Sequence, residues 1–185
     1  MTDVMLDLET LDTKPTSVIL TIGAIRFNRE KRLKPLKQCD TFYRKIEIEK
    51  QKDEGFTSSQ LTEQWWNRQD EDVREEALGG KDRVELKKAL EDFVKWWNDT
   101  SNVDKQCVWG NGSSFDCPII ENAFDHYDIP TPWNFWNVRD LRTLLDITGT
   151  RPSLHKSGKH NALKDCYRQI FDFYNACYEL NRVYV

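Results

Sequence analysis

The sequence predicts an α/β fold in which helices flank a mixed sheet of five strands. Three segments near the N-terminus have strand patterns and are joined by short polar connections typical of antiparallel hairpins. Two later strand segments are separated by helical patterns, which indicates crossover connections and parallel pairing. The 185 residues contain no repeat or long linker, so we expect a single domain spanning residues 1–185.

The predicted strands differ in how their apolar residues are arranged. The first and third alternate apolar and polar residues, the second is rich in β-branched residues, and the fourth is short and ends in glycine-rich turn residues. Their predicted ranges are 3–9, 17–27, 41–48, 107–111 and 135–140.

The predicted helices are identified by caps and by apolar periodicity. Thr57 and Ser58 are candidate N-caps of the first, and Ser113 or Ser114 of the third. The second carries one apolar stripe formed by Leu86, Leu90, Phe93, Val94 and Trp97. The predicted ranges are 57–69, 82–98, 113–127, 141–147 and 161–180.

The composition excludes several classes of protein. A hydrophobic content of 38% argues against disorder, and no apolar run approaches the roughly 20 residues of a membrane span. The acidic N-terminus does not resemble a signal peptide. Five cysteines without a C-x-x-C pair suggest reduced thiols rather than a disulfide framework or a zinc ribbon. We therefore expect a soluble cytoplasmic protein with no membrane partner.

The net charge of −4 limits how nucleic acid could be bound. A protein that relies on phosphate contacts alone should be basic, and this chain has only a modest basic cluster between Arg29 and Lys37. Binding of phosphates through bound cations is compatible with this charge, because acidic residues then form part of the binding site.

Asp7 and Glu9 are the first candidates for such a site. Their spacing places both carboxylates on the same face of a strand. Glu47/Glu49 and Asp70/Asp72 share this spacing, and such pairs are usually only solvated. Asp7 and Glu9 differ because they interrupt a strand that otherwise looks buried, near its C-terminal end, where open α/β sheets usually place their sites.

Asp116 and Asp165 each lie near the start of a predicted helix. An acid in the first turn is favourable to the helix dipole by about 0.3–1 kcal/mol, so a purely structural role is an alternative for both. Five helical steps separate His160 from Asp165 and would place them on different faces, so His160 must precede the helix. His155 occupies the same loop, and its position alone does not exclude it. His126 ends a helix beside Tyr127, which favours a structural role.

Four carboxylates from three separate elements suit hard cations such as Mg²⁺ or Mn²⁺. Two ions roughly 3.5–4 Å apart can stabilise both the attacking and the leaving oxygen of a phosphodiester. A nearby histidine, with an ordinary pKa near 6.5, can accept the proton of the attacking water. The set is therefore suited to phosphodiester hydrolysis.

Three sequence motifs, D-L-E-T (7–10), N-G-S-S-F-D (111–116) and H-N-A-L-K-D (160–165), resemble those of the DEDDh exonuclease superfamily. The last fits H-x-A-x-x-D, which selects His160 over His155. T-E-Q-W-W (62–66) and F-W-N-V-R-D-L-R-T (135–143) further resemble the exonuclease A proteins of T4-like phages and a related mycobacterial-type, RNase T-like exoribonuclease group. The resemblance covers nearly the whole chain.

The resemblance implies an RNase H-like fold and a 3′→5′ exonuclease that uses two Mg²⁺ or Mn²⁺ ions and releases nucleoside 5′-monophosphates from the 3′ ends of DNA or RNA. It implies the host cytoplasm if the protein is phage- or prophage-encoded. Asp7, Glu9, Asp116 and Asp165 would be the metal ligands and His160 the base.

The resemblance also implies residues that contact the substrate. Thr10 and Leu11 would contact the terminal nucleotide, with Leu11 as a wedge between bases. Phe115 is a candidate for base stacking or for the core, and Arg139 for a phosphate contact or an ion pair with Asp140.

The two adjacent tryptophans of the first predicted helix, Trp65 and Trp66, point about 100° apart. At least one of them should therefore be buried, and the two should not line one surface.

Two other functions compete with the exonuclease. One is a nucleic-acid-binding or partner-binding module of the same fold with weak catalysis, although all five charged site residues are present. The other is a metal-dependent endonuclease, which also uses carboxylate clusters. Discrimination between DNA and RNA depends on groups near the ribose 2′-hydroxyl, and the sequence does not locate them.

Overall fold

A computed structural model describes residues 2–100, 103–153 and 160–183 of the chain. The strands are β1 (Thr2–Thr10), β2 (Ile19–Asn28), β3 (Asp40–Lys45), β4 (Val108–Gly110) and β5 (Val138–Asp140). The helices are α1 (Ile48–Asp53), α2 (Gln60–Trp66), α3 (Glu71–Leu78), α4 (Leu86–Asn98), α5 (Ser113–His126), α6 (Leu141–Thr148) and α7 (Ala162–Val183). Short 3-10 turns cover Leu36–Gln38, Val103–Lys105 and Phe135–Asn137.

The five strands form one mixed sheet in the order β3-β2-β1-β4-β5. β1 lies at its centre, antiparallel to β2 and parallel to β4, and β3 and β5 form the two edges. The predicted antiparallel meander followed by parallel strands is therefore confirmed. In the β1–β2 register Asp7 lies opposite Gly23 and Glu9 opposite Thr21.

The third and fifth strands are shorter than predicted. β3 ends at Lys45, and α1 begins at Ile48 although the apolar–polar alternation continues to that residue. The reason is a change of partner, since the amide of Glu47 donates to the carbonyl oxygen of Val84 and the chain leaves the sheet. The beginning of the fifth predicted strand is instead the 3-10 turn at 135–137. Helices α1 and α3 were not predicted from the sequence.

Side chains on the two faces of the sheet enter two separate cores. Val4, Leu6 and Leu8 of β1 belong to the core that contains α4 and α5. Met5 belongs to the core that contains α6 and α7. Because side chains alternate along a strand, Asp7 and Glu9 lie on the same face as Met5, the face that α7 covers. Strand alternation thus directs both carboxylates toward the start of α7.

None of the helices in the described part of the chain combines the length and apolar character needed to cross a bilayer.

Gly23 allows the start of α7 to approach the sheet beside the carboxylates. A Cβ atom at this position would lie 2.6 Å from the backbone nitrogen of Leu163 and would also clash with the backbone of Ala162. Both obstacles are backbone atoms that cannot rotate away. The absence of a side chain at Gly23 therefore sets how close Asp165 comes to β1.

We predict that Gly23→Ala lowers the free energy of unfolding by about 1–3 kcal/mol, because the new methyl group overpacks a backbone contact. Urea unfolding would measure the loss, and nuclease activity should fall with it because α7 is displaced. Gly149→Asn is the control: Gly149 has φ 64°, and a Cβ atom at this position would meet no atom within 4 Å, so asparagine should be tolerated there. Equal stability of the two variants would contradict this role of Gly23.

Candidate active site

The candidate site lies at the C-terminal end of β1, where Asp7 and Glu9 face α7. Asp7 is partly exposed, and Glu9 is 8% exposed. The β1–β2 register shifts between Glu9 and Thr10, so the chain leaves regular pairing directly after the second carboxylate. Such irregularities often occur next to active sites, where they redirect a side chain.

Asp116 reaches the same end of β1 from the first turn of α5. Its Oδ1 accepts a hydrogen bond of 3.0 Å from the backbone amide of Leu8, between the two carboxylates of β1. The turn before α5 needs Gly112, which has φ 97°. Asp140 holds this turn by accepting hydrogen bonds from the amides of Gly112 (3.0 Å) and Ser113 (2.6 Å).

Asp165 and His160 approach from the start of α7. His160 precedes the helix, as predicted, and has φ 60°, while its amide donates to Asp165 Oδ2 over 2.9 Å. Asn161 caps the helix, because its side-chain oxygen accepts from the amide of Lys164 over 3.0 Å. One potential ligand atom from each of Glu9, His160 and Asp165 lies within 4.8 Å of the others.

Two further residues of α7 position the carboxylates, and neither was predicted from the sequence. Arg168 forms an ion pair of 2.7 Å with Asp165, and Gln169 donates a hydrogen bond of 2.7 Å to Asp7. They follow Asp165 by three and four residues, so they share its helical face. Once Asp165 is assigned to the site, this spacing identifies both residues as neighbours on the same face of α7.

The two tryptophans of α2 surround the imidazole of His160. The ring centroids of Trp65 and Trp66 lie 4.7 and 6.1 Å from that of His160. Trp66 is buried and donates to the carbonyl oxygen of Thr10 over 2.9 Å, whereas Trp65 is 39% exposed. The expected burial of one tryptophan is confirmed. The expectation that the two would not line one surface agrees with these exposures, although both rings lie near the same imidazole.

The predicted substrate residues occupy different environments. Thr10 and Leu11 are buried, and the Thr10 hydroxyl donates to the carbonyl oxygen of Asp12. Phe115 is partly buried against the core. Arg139 donates to the carbonyl oxygens of Trp136 (2.6 Å) and Val138 (2.8 Å), so its alternative pairing with Asp140 is not formed within the described residues.

The remaining candidates for chemistry lie elsewhere. His126 packs against Phe56 and Tyr127, with ring centroids 4.7 Å from each, as expected of a structural residue. His155 lies outside the described residues. The five cysteines are free thiols.

Burial makes each of the four carboxylates harder to ionise. Burial raises the pKa of Glu9 to about 8, and the charges of Asp165 and Asp116 add to the rise. Burial raises the pKa of Asp116 to about 7, although the bond from the Leu8 amide opposes the change. The pKa values of Asp7 and Asp165 are also raised, in both cases mainly by burial. The charge of Arg168 opposes the rise in pKa at Glu9 and Asp165, and that of Arg142 opposes the rise at Asp116, but neither cancels it.

This arrangement fits divalent cations. The site offers hard oxygen donors from β1, α5 and α7, and burial raises the pKa values of all four, so a bound cation would favour their ionised forms. Bound Mg²⁺ or Mn²⁺ would supply the positive charge.

Sequence comparison agrees with this geometry. The family described as the 3'-5' exoribonuclease Rv2179c-like domain matches residues 2–173. The chain belongs to this family. It is accordingly a 3′-5′ exonuclease, as the motifs predicted. It is also 24% identical over 205 aligned residues to an exodeoxyribonuclease of Enterobacteria phage T4, covering 92% of this chain and 86% of that protein.

Several solved structures, two of them described as nucleases, have a similar fold. Cell-death related nuclease 4 (CRN-4) has a TM-score of 0.66 at 11% identity, over 96% of this chain and 64% of that one, so this chain spans just under two thirds of its length. The nuclease domain of 3'hExo, a DEDDh family member bound to rAMP, has a TM-score of 0.59 at 13% identity, over 96% and 92% of the two chains. The Mg²⁺- and Mn²⁺-bound form of S. pombe Pop2p has a TM-score of 0.56 at 13% identity, over 93% of this chain and 81% of that one. The expected RNase H-like fold is confirmed.

We predict that the metal-free protein loses stability as the pH rises from about 4 to about 8. The raised pKa values of Glu9 (about 8) and Asp116 (about 7) mean that the folded state binds more protons than the unfolded state, so stability is greatest at low pH and is lost as both groups ionise. Thermal unfolding with EDTA should show a falling Tm, and Mg²⁺ or Mn²⁺ should raise Tm more at pH 8 than at pH 5.

The matched variants are Glu9→Gln and Glu71→Gln. Glu9→Gln removes one of the buried carboxylates, so it should flatten the pH dependence of Tm and reduce the rise in Tm caused by metal. Glu71 is exposed on α3, and its replacement should leave the pH dependence of Tm and the effect of metal unchanged. A metal-induced shift that survives intact in Glu9→Gln would count against this site.

Proposed function

We propose that the chain hydrolyses nucleic acid from its 3′ end by a two-metal mechanism and releases nucleoside 5′-monophosphates. The observation that carries the proposal is the convergence of Asp7, Glu9, Asp116 and Asp165 at one end of β1, beside His160. The family supplies the exonuclease class, and this convergence supplies the residues.

Asp7, Glu9, Asp116 and Asp165 would hold two ions, Mg²⁺ or Mn²⁺. When bound, such ions polarise the phosphodiester, lower the pKa of bound water and balance charge on the leaving 3′-oxygen. The carboxylates need support to hold this geometry. Leu8, Gln169 and Arg168 provide it through their bonds to Asp116, Asp7 and Asp165.

His160 is the proposed general base. Its imidazole accepts the proton of the attacking water, whose oxygen bonds to phosphorus as the bond from phosphorus to the 3′-oxygen breaks. The leaving 3′-oxygen takes up a proton from solvent, so the products are a nucleoside 5′-monophosphate and a strand with a new 3′-hydroxyl. Trp65 and Trp66 restrict the imidazole, and the hydrogen bond from the His160 amide to Asp165 fixes its backbone.

Substrate contacts extend from the carboxylates. We assign Thr10 and Leu11 to the terminal nucleotide, because they directly follow Glu9, and Phe115 to a base, because it precedes Asp116. Arg139 stays a candidate for a phosphate contact. Arg142 is a second cation suited to that role: it is exposed, donates to the carbonyl oxygen of Asn111 over 3.0 Å and lowers the pKa of Asp116 by its charge.

The substrate class is DNA, RNA or both. The family description names an exoribonuclease, and the phage T4 relative is an exodeoxyribonuclease. We place the activity in one domain spanning residues 1–185 and, for a phage or prophage protein, in the host cytoplasm.

We predict that the protein with Mg²⁺ or Mn²⁺ releases mononucleotides from linear single strands and leaves a closed circular strand intact. An exonuclease needs an end, whereas an endonuclease would cut the circle. Matched DNA and RNA strands, single-stranded and with 3′ overhangs, would define the preferred substrate by chromatography of the products.

Asp7→Asn tests whether the assigned site performs this reaction. The neutral amide preserves shape while removing a ligand charge, so activity should be lost and folding retained. Asp125→Asn, at an exposed acid of α5, should retain full activity. Undiminished hydrolysis by Asp7→Asn would refute the assignment, and strand binding without hydrolysis by the unaltered protein would favour the binding-module alternative.

We predict that His160→Ala lowers kcat by a factor of roughly 10²–10⁴, the usual contribution of a positioned general base. Binding of Mn²⁺, measured by calorimetry, should change much less than it does in Asp7→Asn. His126→Ala is the matched control, because His126 packs against Phe56 and Tyr127. Similar activity in the two histidine variants would exclude His160 as the base.

A further inference from the structure

A cationic loop joins β2 to β3 at the end of the sheet opposite the carboxylates. From Arg29 to Lys37 it contains five cations and one acid, in a chain whose net charge is −4. Lys31, Arg32, Lys34 and Lys37 are exposed. Among the residues that the structure describes, no carboxylate lies close enough to any of these four to form an ion pair. Their charges are therefore available to an external anion.

This loop borders a cavity of about 310 Å³, which we call the cationic cavity. Lys31, Arg32 and Lys34 line it. Asp40 lines it as well, but its carboxylate accepts a hydrogen bond from the Trp96 indole and pairs with the Arg26 guanidinium. The one acid of the lining is thus already neutralised, and the cavity keeps an excess of positive charge.

We propose that the cationic cavity binds the phosphate backbone of the strand whose 3′ end occupies the active site. This inference rests on the proposed exonuclease function. Asn28 lines the cationic cavity, and Gly23 lies opposite Asp7 in the β1–β2 register. The two residues are five positions apart on β2, a separation of about 17 Å. A dinucleotide is too short to occupy both places, whereas a longer strand can reach from one to the other.

Helix α7 provides a path between the two places. Arg168, near its start, pairs with Asp165, and Tyr174 lines the cationic cavity. Phe171 lies between them in sequence and is 47% exposed, so its ring is available to stack on a base. An exposed ring next to a cationic region is a common feature of surfaces that bind single strands through phosphate contacts and base stacking.

The chemistry of the loop favours a nucleic-acid strand over a membrane surface. Guanidinium and ammonium groups bind phosphates of either source. A membrane-binding loop also inserts apolar side chains, and the two leucines of this loop, Leu33 and Leu36, are partly buried against the core instead. A loop that exposes its cations and packs its leucines inward suits a phosphate backbone.

The test compares two triple variants that remove the same charge. Lys31→Ala/Arg32→Ala/Lys34→Ala alters the cationic cavity, and Lys81→Ala/Lys87→Ala/Lys105→Ala alters exposed lysines elsewhere. Binding of a fluorescent strand of about twenty nucleotides is measured in EDTA at several salt concentrations. The cavity variant should bind roughly tenfold more weakly. The slope of the logarithm of its binding constant against the logarithm of the salt concentration should decrease in magnitude by about two, as expected for three lost contacts to a single strand. The control variant should bind like the unaltered protein.

Steady-state kinetics with Mg²⁺ completes the test. The cavity variant should have a raised KM for the long strand, with unchanged kcat, and unchanged kinetics on a dinucleotide. Equal losses on both lengths, or unchanged binding of the long strand, would overturn the proposal. Inorganic phosphate and phosphatidylserine vesicles are tested in the same way. If either binds through these three cations while strand binding is unaffected, the ligand is a small anion or a lipid headgroup and the proposal is overturned. Because binding is measured without metal, it decides this proposal even if the protein proves to lack nuclease activity.

Discussion

Repulsion among four carboxylates is the constraint around which the rest of this structure is arranged. Three of them have partners that favour their charged forms. These partners are the Leu8 amide for Asp116, Gln169 for Asp7 and Arg168 for Asp165. These contacts come from β1 and α7, which pack directly on one another. The site is therefore a property of the sheet–helix interface as a whole, and the packing of that interface offsets the repulsion between the charges.

This arrangement explains the close packing beside the site. Burial of hydrophobic residues on both faces of the sheet supplies stability that the crowded charges reduce. Gly23 permits the backbone of α7 to touch β2, and Gly110 similarly has no room for a Cβ, which would lie 2.9 Å from Ser113 Cα. Glycines at these two contacts let three separate elements bring their carboxylates together without displacing one another.

Much of this could be predicted from the sequence because it depends on short-range periodicity. The alternation around Asp7 predicted its face of β1, and the five-residue spacing from His160 to Asp165 correctly placed the histidine before α7. Short helices such as α3 were missed because their few residues carry little periodicity. Gln169 and Arg168 were missed for a different reason: their importance appears only when tertiary packing shows which face of α7 meets β1. Contacts with substrate depend on a molecule that the sequence does not contain.

The two charged regions of the chain also resolve the apparent conflict between acidity and nucleic-acid binding. An ionised acidic site would repel a phosphate backbone, and cations bound by its carboxylates, as proposed, would remove that repulsion. The cationic loop has no such requirement for bound cations, since between Arg29 and Lys37 it carries five cations and one acid. It lies about five strand residues of β2 away from the carboxylates, far enough for water and salt to screen one region from the other. An overall charge of −4 therefore says little about affinity for nucleic acid, because the sign of the local charge changes along the path that a strand would follow.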